Sequence, residues 1–265
     1  MSKIHATAII EDGARIGDDV TIGPYCHIGP DVELGAGSEL QSHVVLAGRT
    51  KIGVRTRIYP FASLGHPPQD LKYRGELSTL SIGDECLIRE GVTMNPGTEG
   101  GGMKTVVGSR CAFLAGSHVG HDCHVGDNVI LSNNVMLAGH VSVGDFVIMG
   151  GGSAIAQFHR IGAHAFVGGL TGVRGDLIPY GLATGDWARL EGLNLVGLKR
   201  RNFDRDQVNA LRRAYRLLFA DEGTLSERVN DVAEEFAGVP IVQEVVDFLR
   251  SAGDRAICTP RETAG

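Results

Sequence analysis

What the chain lacks narrows its class before any motif is read. It has no apolar run long enough to cross a bilayer and no N-terminal apolar segment of the secretory kind, which excludes a helical membrane protein and points to the cytoplasm. It has no surplus of positive charge: 25 Lys and Arg against 31 Asp and Glu leave a net charge of −6, so the chain as a whole is no nucleic-acid binder. It also lacks an even set of cysteines. Of the five, Cys26, Cys86, Cys111 and Cys123 fall at one recurring position of the repeat described next, which suits small buried hydrophobes better than disulfides or metal ligands. With 43% hydrophobic and 21% charged residues the composition is that of an ordinary globular protein.

What is present is a period of six. Aliphatic residues recur at Ile4, Ile10, Ile16, Ile22, Ile28, Leu34, Leu40, Leu46, Ile52, Ile58 and Leu64, and again at Ile82, Ile88 and Met94. After a slip of one residue they continue from Val107, Phe113, Val119 and Val125 through Leu137, Ile155 and Ile161 to Val173. A helix needs a spacing near 3.6 and an ordinary strand a spacing of 2, so six marks a repeat unit. Small residues fill the fifth slot of each hexad, among them Val20, Val32, Ser38, Val44, Thr98, Ser117, Val129 and Ser153. Three hexads close one triangular coil of 18 residues, and successive coils stack at about 4.8 Å, each burying its aliphatic column only against its neighbours.

Two stretches interrupt the hexads. GHPPQDLKYRGELSTL, about residues 65–80, contains Pro67 and Pro68, which cannot continue a ladder. NPGTEGGGMKT, residues 95–105, produces the slip, and its Gly100, Gly101 and Gly102 imply a mobile connection. Past a turn-rich link from Asp176 to Trp187 the periodicity becomes helical. The expected division is therefore a solenoid over 1–186 and a small helical domain over 187–265. In the latter, a short helical segment spans Leu190 to Arg201, Asp204 and Thr224 are N-caps, and Pro240 opens the last helix. Seven basic residues (Lys199, Arg200, Arg201, Arg205, Arg212, Arg213, Arg216) against two acidic ones form either a solvated helix face or a dock for an acidic partner.

The densest polar cluster is SHVGHDCHVG, Ser117 to Gly126. His118 and His124 are six apart and belong to different faces of one coil, so they cannot share a metal within one subunit; a site shared between subunits stays open. Adding 18 brings Gly139 over His121 and His140 over Asp122, and adding 18 again brings Gln157 over Gly139. His121, Gly139, His140 and Gln157 are thus expected as a strip on one flat face, offering a general base, a carboxylate beside it and a backbone N–H for a developing oxyanion. His5, His27, His43, His66 and His164 are read as surface residues, and His159 stands out of pattern in a small-residue slot. Flat prism faces favour assembly about a three-fold axis.

These residues resemble a known family, the UDP-N-acetylglucosamine 3-O-acyltransferases that open lipid A synthesis in Gram-negative bacteria. QDLKY (Gln69 to Tyr73), HVGHDC (His118 to Cys123), LAGHVSVGDF (Leu137 to Phe146), IGAHAFVGG (Ile161 to Gly169) and GLKRR (Gly197 to Arg201) carry the resemblance. It implies an all-β left-handed parallel β-helix with a C-terminal α-helical domain, and a cytoplasmic homotrimer that needs no metal or other cofactor. The implied reaction moves an (R)-3-hydroxyacyl chain from acyl carrier protein to the 3-hydroxyl of UDP-N-acetylglucosamine; some relatives acylate a 3-amino sugar instead. His121 would be the base, supported by Asp122, with the Gly139 N–H on the oxyanion. Gln69, Asp70, Lys72, His118, His140, Gln157, Asn194, Arg200 and Arg201 would bind substrate, and Gly169 would set acyl-chain length. Ala156 and Val196 stand where relatives carry His and Glu. An N-acyltransferase of the same pathway carries a uridine-binding domain ahead of its hexads, whereas here the hexads begin at Ile4. Two further functions fit a hexapeptide prism, a metal-dependent enzyme and a non-enzymatic scaffold.

Overall fold

A computed structural model describes residues 2–261. The hexads form a left-handed prism of short strands in three sheets of 11, 9 and 8 strands, parallel except for the last pair of the first sheet. A typical strand is two residues long: the sixth-slot side chain faces out and the first-slot aliphatic faces in, as in His118–Val119 and Ala154–Ile155. Regular coils pair at the expected register, with His118 beside Met136 and Met136 beside Ala154. The first-slot column and the fifth-slot residues together form the core, from Ile22, Cys26 and Ile28 through Cys123, Val125 and Val129 to Val173. Ile4 is half exposed because its strand, Lys3–Ile4, pairs on one side only.

Each corner is turned by the third and fourth slots. The fourth adopts the left-handed region, for example Asp122 at φ 58°, His140 at 64° and Phe158 at 66°. That region costs most L-residues roughly 1–2 kcal/mol, with Asn and Asp better suited than others. The chain meets the first, second and third sheets in turn, so the corner between the second and third holds His121–Asp122, Gly139–His140 and Gln157–Phe158 on successive coils.

Both interruptions leave at this same corner. Arg49 pairs with Thr79, 30 positions on, and Thr93 pairs with His118, 25 positions on. The second loop is not the free connection its glycines suggested. Glu99–Gly101 forms one 3-10 turn against the next coil, and a Cβ on Gly101 would lie 2.0 Å from the Asp122 carboxyl carbon. Glycine here serves close approach. Thr98, expected in an inward slot of the hexads, is buried in this loop instead.

Beyond Val173 the link contains a strand, Gly181–Thr184, which pairs parallel with Phe166–Val167 and antiparallel with Arg189–Leu193. This hairpin crosses residue 186. The helical reading of Leu190 to Arg201 therefore holds only for its second half, α1 (Leu195–Arg200). Then come α2 (Arg205–Leu218), α3 (Leu225–Glu235) and α4 (Pro240–Arg250). Asp204 and Thr224 complete capping boxes with Gln207 and Glu227, and Pro240 sits in the first turn of α4. Buried Asp176 fastens the tail to the prism by accepting from Arg160 Nε at 2.7 Å and Arg255 Nε at 3.0 Å. His159 fits this junction, with Nδ1 3.5 Å from the same carboxylate.

His164 is not a surface residue. It stacks between Phe146 and Tyr180, with Phe203 edge-on, and burial lowers its pKa to about 4. An imidazole in the fourth slot of this coil has aromatic neighbours above and below, because the corner columns repeat every coil. All five cysteines are buried and free. Among the described residues, no helix is long and apolar enough to cross a membrane.

Candidate active site

The corner turn presents His121 and buries Asp122. The left-handed backbone at Asp122 directs its side chain back toward the second loop, where the carboxylate is fully shielded from solvent. Its Oδ1 accepts the Thr98 N–H at 2.9 Å, and its Oδ2 accepts the Thr98 hydroxyl at 2.6 Å and faces His121 Nδ1 at 2.8 Å. The Asp122 N–H donates to Thr105 Oγ1 at 2.8 Å. An ionised carboxylate accepts only, so the network assigns the proton to His121 Nδ1 and leaves the lone pair on Nε2.

Nε2 lies over Gly139, where a Cβ would fall 2.5 Å from it. The glycine lets the ring lie against backbone. Among the described residues no acceptor takes the Gly139 N–H, and the residue lines the groove described next. His140 meets His121 edge-on at 4.9 Å and stacks on Phe158 at 4.3 Å, with Nδ1 4.0 Å from Asp122 Oδ2. Burial holds its pKa below the ordinary imidazole value against the opposing pull of Asp122; Asp70 and Lys72 of the first loop also act on it, with opposite signs. His118 is likewise lowered by burial, with the His121 charge adding to the effect, and its Nδ1 meets Thr93 Oγ1 at 2.7 Å.

The strip follows the corner and not a flat face, because the third and fourth slots are the turn itself. Beside it, on the second sheet, runs a groove of about 770 Å³ lined by His121, Gly139, Gln157 and Gln69. Its floor is the outward column His118, Met136, Ala154 and Gly172, paired in register. Side chains shrink along this column, and Trp187 closes the far end: a Cβ on Gly172 would lie 3.0 Å from its ring, and the Arg174 guanidinium covers the indole at 3.7 Å. The groove is thus polar at the imidazole end, narrows to small side chains along its floor, and ends at Trp187 with the Arg174 guanidinium on its ring.

Other residues implied by the resemblance lie elsewhere on the same chain. Gly169 is at the corner between the first and second sheets. Asn194 caps α1, accepting from Gly197 N–H at 3.0 Å and donating to His164 O at 2.9 Å. Arg201 donates to Phe146 O and covers the Phe146 ring, so α1, which carries the exposed Arg200, rests at the corner between the third and first sheets. Sequence reasoning missed Thr98, Thr105, Asn95 and Trp187. Asn95 ties the two loops together by donating to His66 O at 3.1 Å.

His121, Asp122 and His140 bring ligand-capable atoms within 4.8 Å of one another, a different trio from the three histidines of the SHVGHDCHVG stretch. Asp122 in this trio is already engaged by the Thr98 N–H and hydroxyl as well as by His121 Nδ1.

The family profile described as UDP-N-acetylglucosamine O-acyltransferase, domain 2, matches residues 176–258, and the profile of bacterial transferase hexapeptide repeats matches 13–48 and 104–139. An acyl-(acyl-carrier-protein)--UDP-N-acetylglucosamine O-acyltransferase of Methylobacterium radiotolerans is 68% identical, the match covering 98% of this chain and 95% of that one. The enzyme of the same description from Rhizobium rhizogenes is 49% identical over 100% of this chain and 97% of its own length. The solved structure of LpxA from Acinetobacter baumannii is 41% identical, covers 97% of this chain and 99% of its own, and superposes with a TM-score of 0.93. With near-complete coverage of both chains at such identity, this chain belongs to the family of acyl-(acyl-carrier-protein)--UDP-N-acetylglucosamine O-acyltransferases.

Proposed function

We infer that the chain transfers an (R)-3-hydroxyacyl group from acyl carrier protein to the 3-hydroxyl of UDP-N-acetylglucosamine, the opening step of lipid A synthesis. The names of its relatives favour the oxygen acceptor over a 3-amino sugar. The observation that carries the site assignment is the 2.8 Å contact between His121 Nδ1 and a carboxylate shut off from solvent. It leaves an imidazole at the edge of a groove whose floor runs over Met136, Ala154 and Gly172 to Trp187.

In this reading His121 Nε2 takes the proton of the sugar 3-hydroxyl as that oxygen attacks the thioester carbonyl carbon. Asp122 stabilises the imidazolium that results, and the Gly139 N–H donates to the tetrahedral oxyanion. Collapse breaks the carbon–sulfur bond, and the carrier's sulfur leaves with the proton returned by His121. No covalent enzyme intermediate and no metal takes part. The acyl chain lies along Met136, Ala154 and Gly172 toward Trp187, while His118, Gln157, Gln69, Asp70, Lys72 and His140 hold the polar groups near the imidazole.

The residues assigned to substrate are spread over three corners of one prism, which supports a homotrimer in which a neighbouring copy supplies Gly169, Asn194, Arg200 and Arg201 to the groove. The exposed basic face of α2, with Arg212, Arg213 and Arg216, suits an acidic carrier protein. The reaction is expected in the cytoplasm. The test is a transfer assay on purified protein. His121→Ala should lose activity by at least about a thousandfold with the fold intact by circular dichroism; near-normal turnover would remove the proposed base.

A further inference from the structure

We propose that Thr98 is a positioning residue of the reaction, holding the Asp122 carboxylate on His121. The inference rests on the reading of His121 as the base. A threonine that opens a helical turn ordinarily turns its side-chain oxygen onto an N–H of that turn. Thr98 opens Glu99–Gly101 with extended backbone, yet makes no such cap; the turn is closed by its carbonyl, which accepts from Gly101 and Met103 N–H. Its hydroxyl and its amide both go instead to Asp122, one to each oxygen, at 2.6 and 2.9 Å. Thr98 is itself buried, so water does not compete for these bonds.

Two imidazoles are within reach of the Asp122 carboxylate. His121 Nδ1 is 2.8 Å from Oδ2 and His140 Nδ1 is 4.0 Å from the same oxygen. A carboxylate held by one partner can rotate about its last bond and divide itself between the two rings. Two donors from one residue, one on each oxygen, lock that rotation. Gly101 packs close behind it, since a Cβ there would fall 2.0 Å from the carboxyl carbon. The second loop, inserted one coil before His121 and at the same corner, thus fixes which histidine the carboxylate serves and which way Nε2 points. Thr98 touches no reacting atom; it acts through Asp122.

The experiment compares Thr98→Val, Thr98→Ala and Thr98→Ser in the full-length protein, reading kcat, KM, the pH profile of kcat/KM and the melting temperature. Thr98→Val and Thr98→Ala should lower kcat by about tenfold to a hundredfold, the usual worth of a hydrogen bond to a charged group, with KM for the nucleotide sugar nearly unchanged. The acid limb of the profile should shift as well, because Thr98 sets how the carboxylate meets the imidazolium formed in the reaction. Thr98→Ser keeps both donors and should restore rate and profile. A fall in kcat with the acid limb unmoved, a serine variant as poor as valine, or wild-type kinetics in valine and alanine would each overturn the proposal. Running His121→Ala beside them separates the two ideas. If that variant is inactive while Thr98→Val is normal, only the role of Thr98 fails; if His121→Ala retains turnover, the base assignment fails.

Discussion

At the residue scale the chain uses its histidines in opposite ways, and the corner in which each sits decides which. His121 keeps one ring nitrogen on a buried carboxylate and the other over a glycine. His164 is also half-buried but has aromatic neighbours, and among the described residues one of its ring nitrogens is buried without a partner. Burial is the main cause of its low pKa, Arg201 adds to it and Asp145 opposes it. Its pKa falls from an unfolded value of 6.5 to about 4 in the folded protein, so between those values the unfolded chain binds the proton more readily. Stability from this site is complete above the unfolded value and drains away as pH falls toward the folded one. The melting temperature should therefore drop between pH 6.5 and 5, and His164→Phe, which keeps the stack and removes the titration, should flatten that slope by about one proton's worth. An unchanged slope in the variant would show that the acid sensitivity lies elsewhere.

At the scale of elements, the hexad ladder was legible because its signal repeats: each first-slot aliphatic is one more instance of the same inward position, and register follows by counting. His121, Gly139 and Gln157 could be stacked from sequence for that reason. What could not be read is contact between a loop and the ladder. Thr98 and Asp122 are 24 positions apart with no period linking them, and a run of three glycines signals freedom unless the carboxylate it must fit against is known. The strand Arg189–Leu193 was missed for a related reason, since its five residues pair with a strand beyond the last regular hexad. Trp187 belongs to this hairpin turn and, once there, closes the groove. If the acyl chain runs along Met136, Ala154 and Gly172, the indole is its end wall. Trp187→Ala should then raise kcat/KM for donors two carbons longer by about tenfold, from roughly 0.8 kcal/mol for each CH₂ newly buried. Competition assays with mixed-length carriers read this directly, and an unshifted preference would mean that the chain leaves the groove before reaching the indole.

At the scale of the whole molecule, one chain carries a groove, a dyad and a helical tail, yet the tail lies against a different corner from the dyad. Asn194 and Arg201 are committed to His164 and Phe146 by hydrogen bonds within the chain, so the tail is anchored where it is and cannot swing to the groove of its own prism. The proposed assembly about a three-fold axis would solve this by setting the corner that carries α1 in one copy against the corner that carries His121 in the next. A complementation experiment tests the arrangement. His121→Ala and Arg200→Ala are each expected to be inactive or strongly impaired as pure proteins. On the proposed arrangement, mixed trimers formed by co-expression or by refolding the two together would contain grooves that take a normal His121 from one copy and a normal Arg200 from its neighbour. For random mixing in equal amounts about one groove in four is whole, so activity should return to about a quarter of wild type. If both residues served the same groove from the same chain, every groove in the mixture would still carry one defect, and mixing would restore nothing.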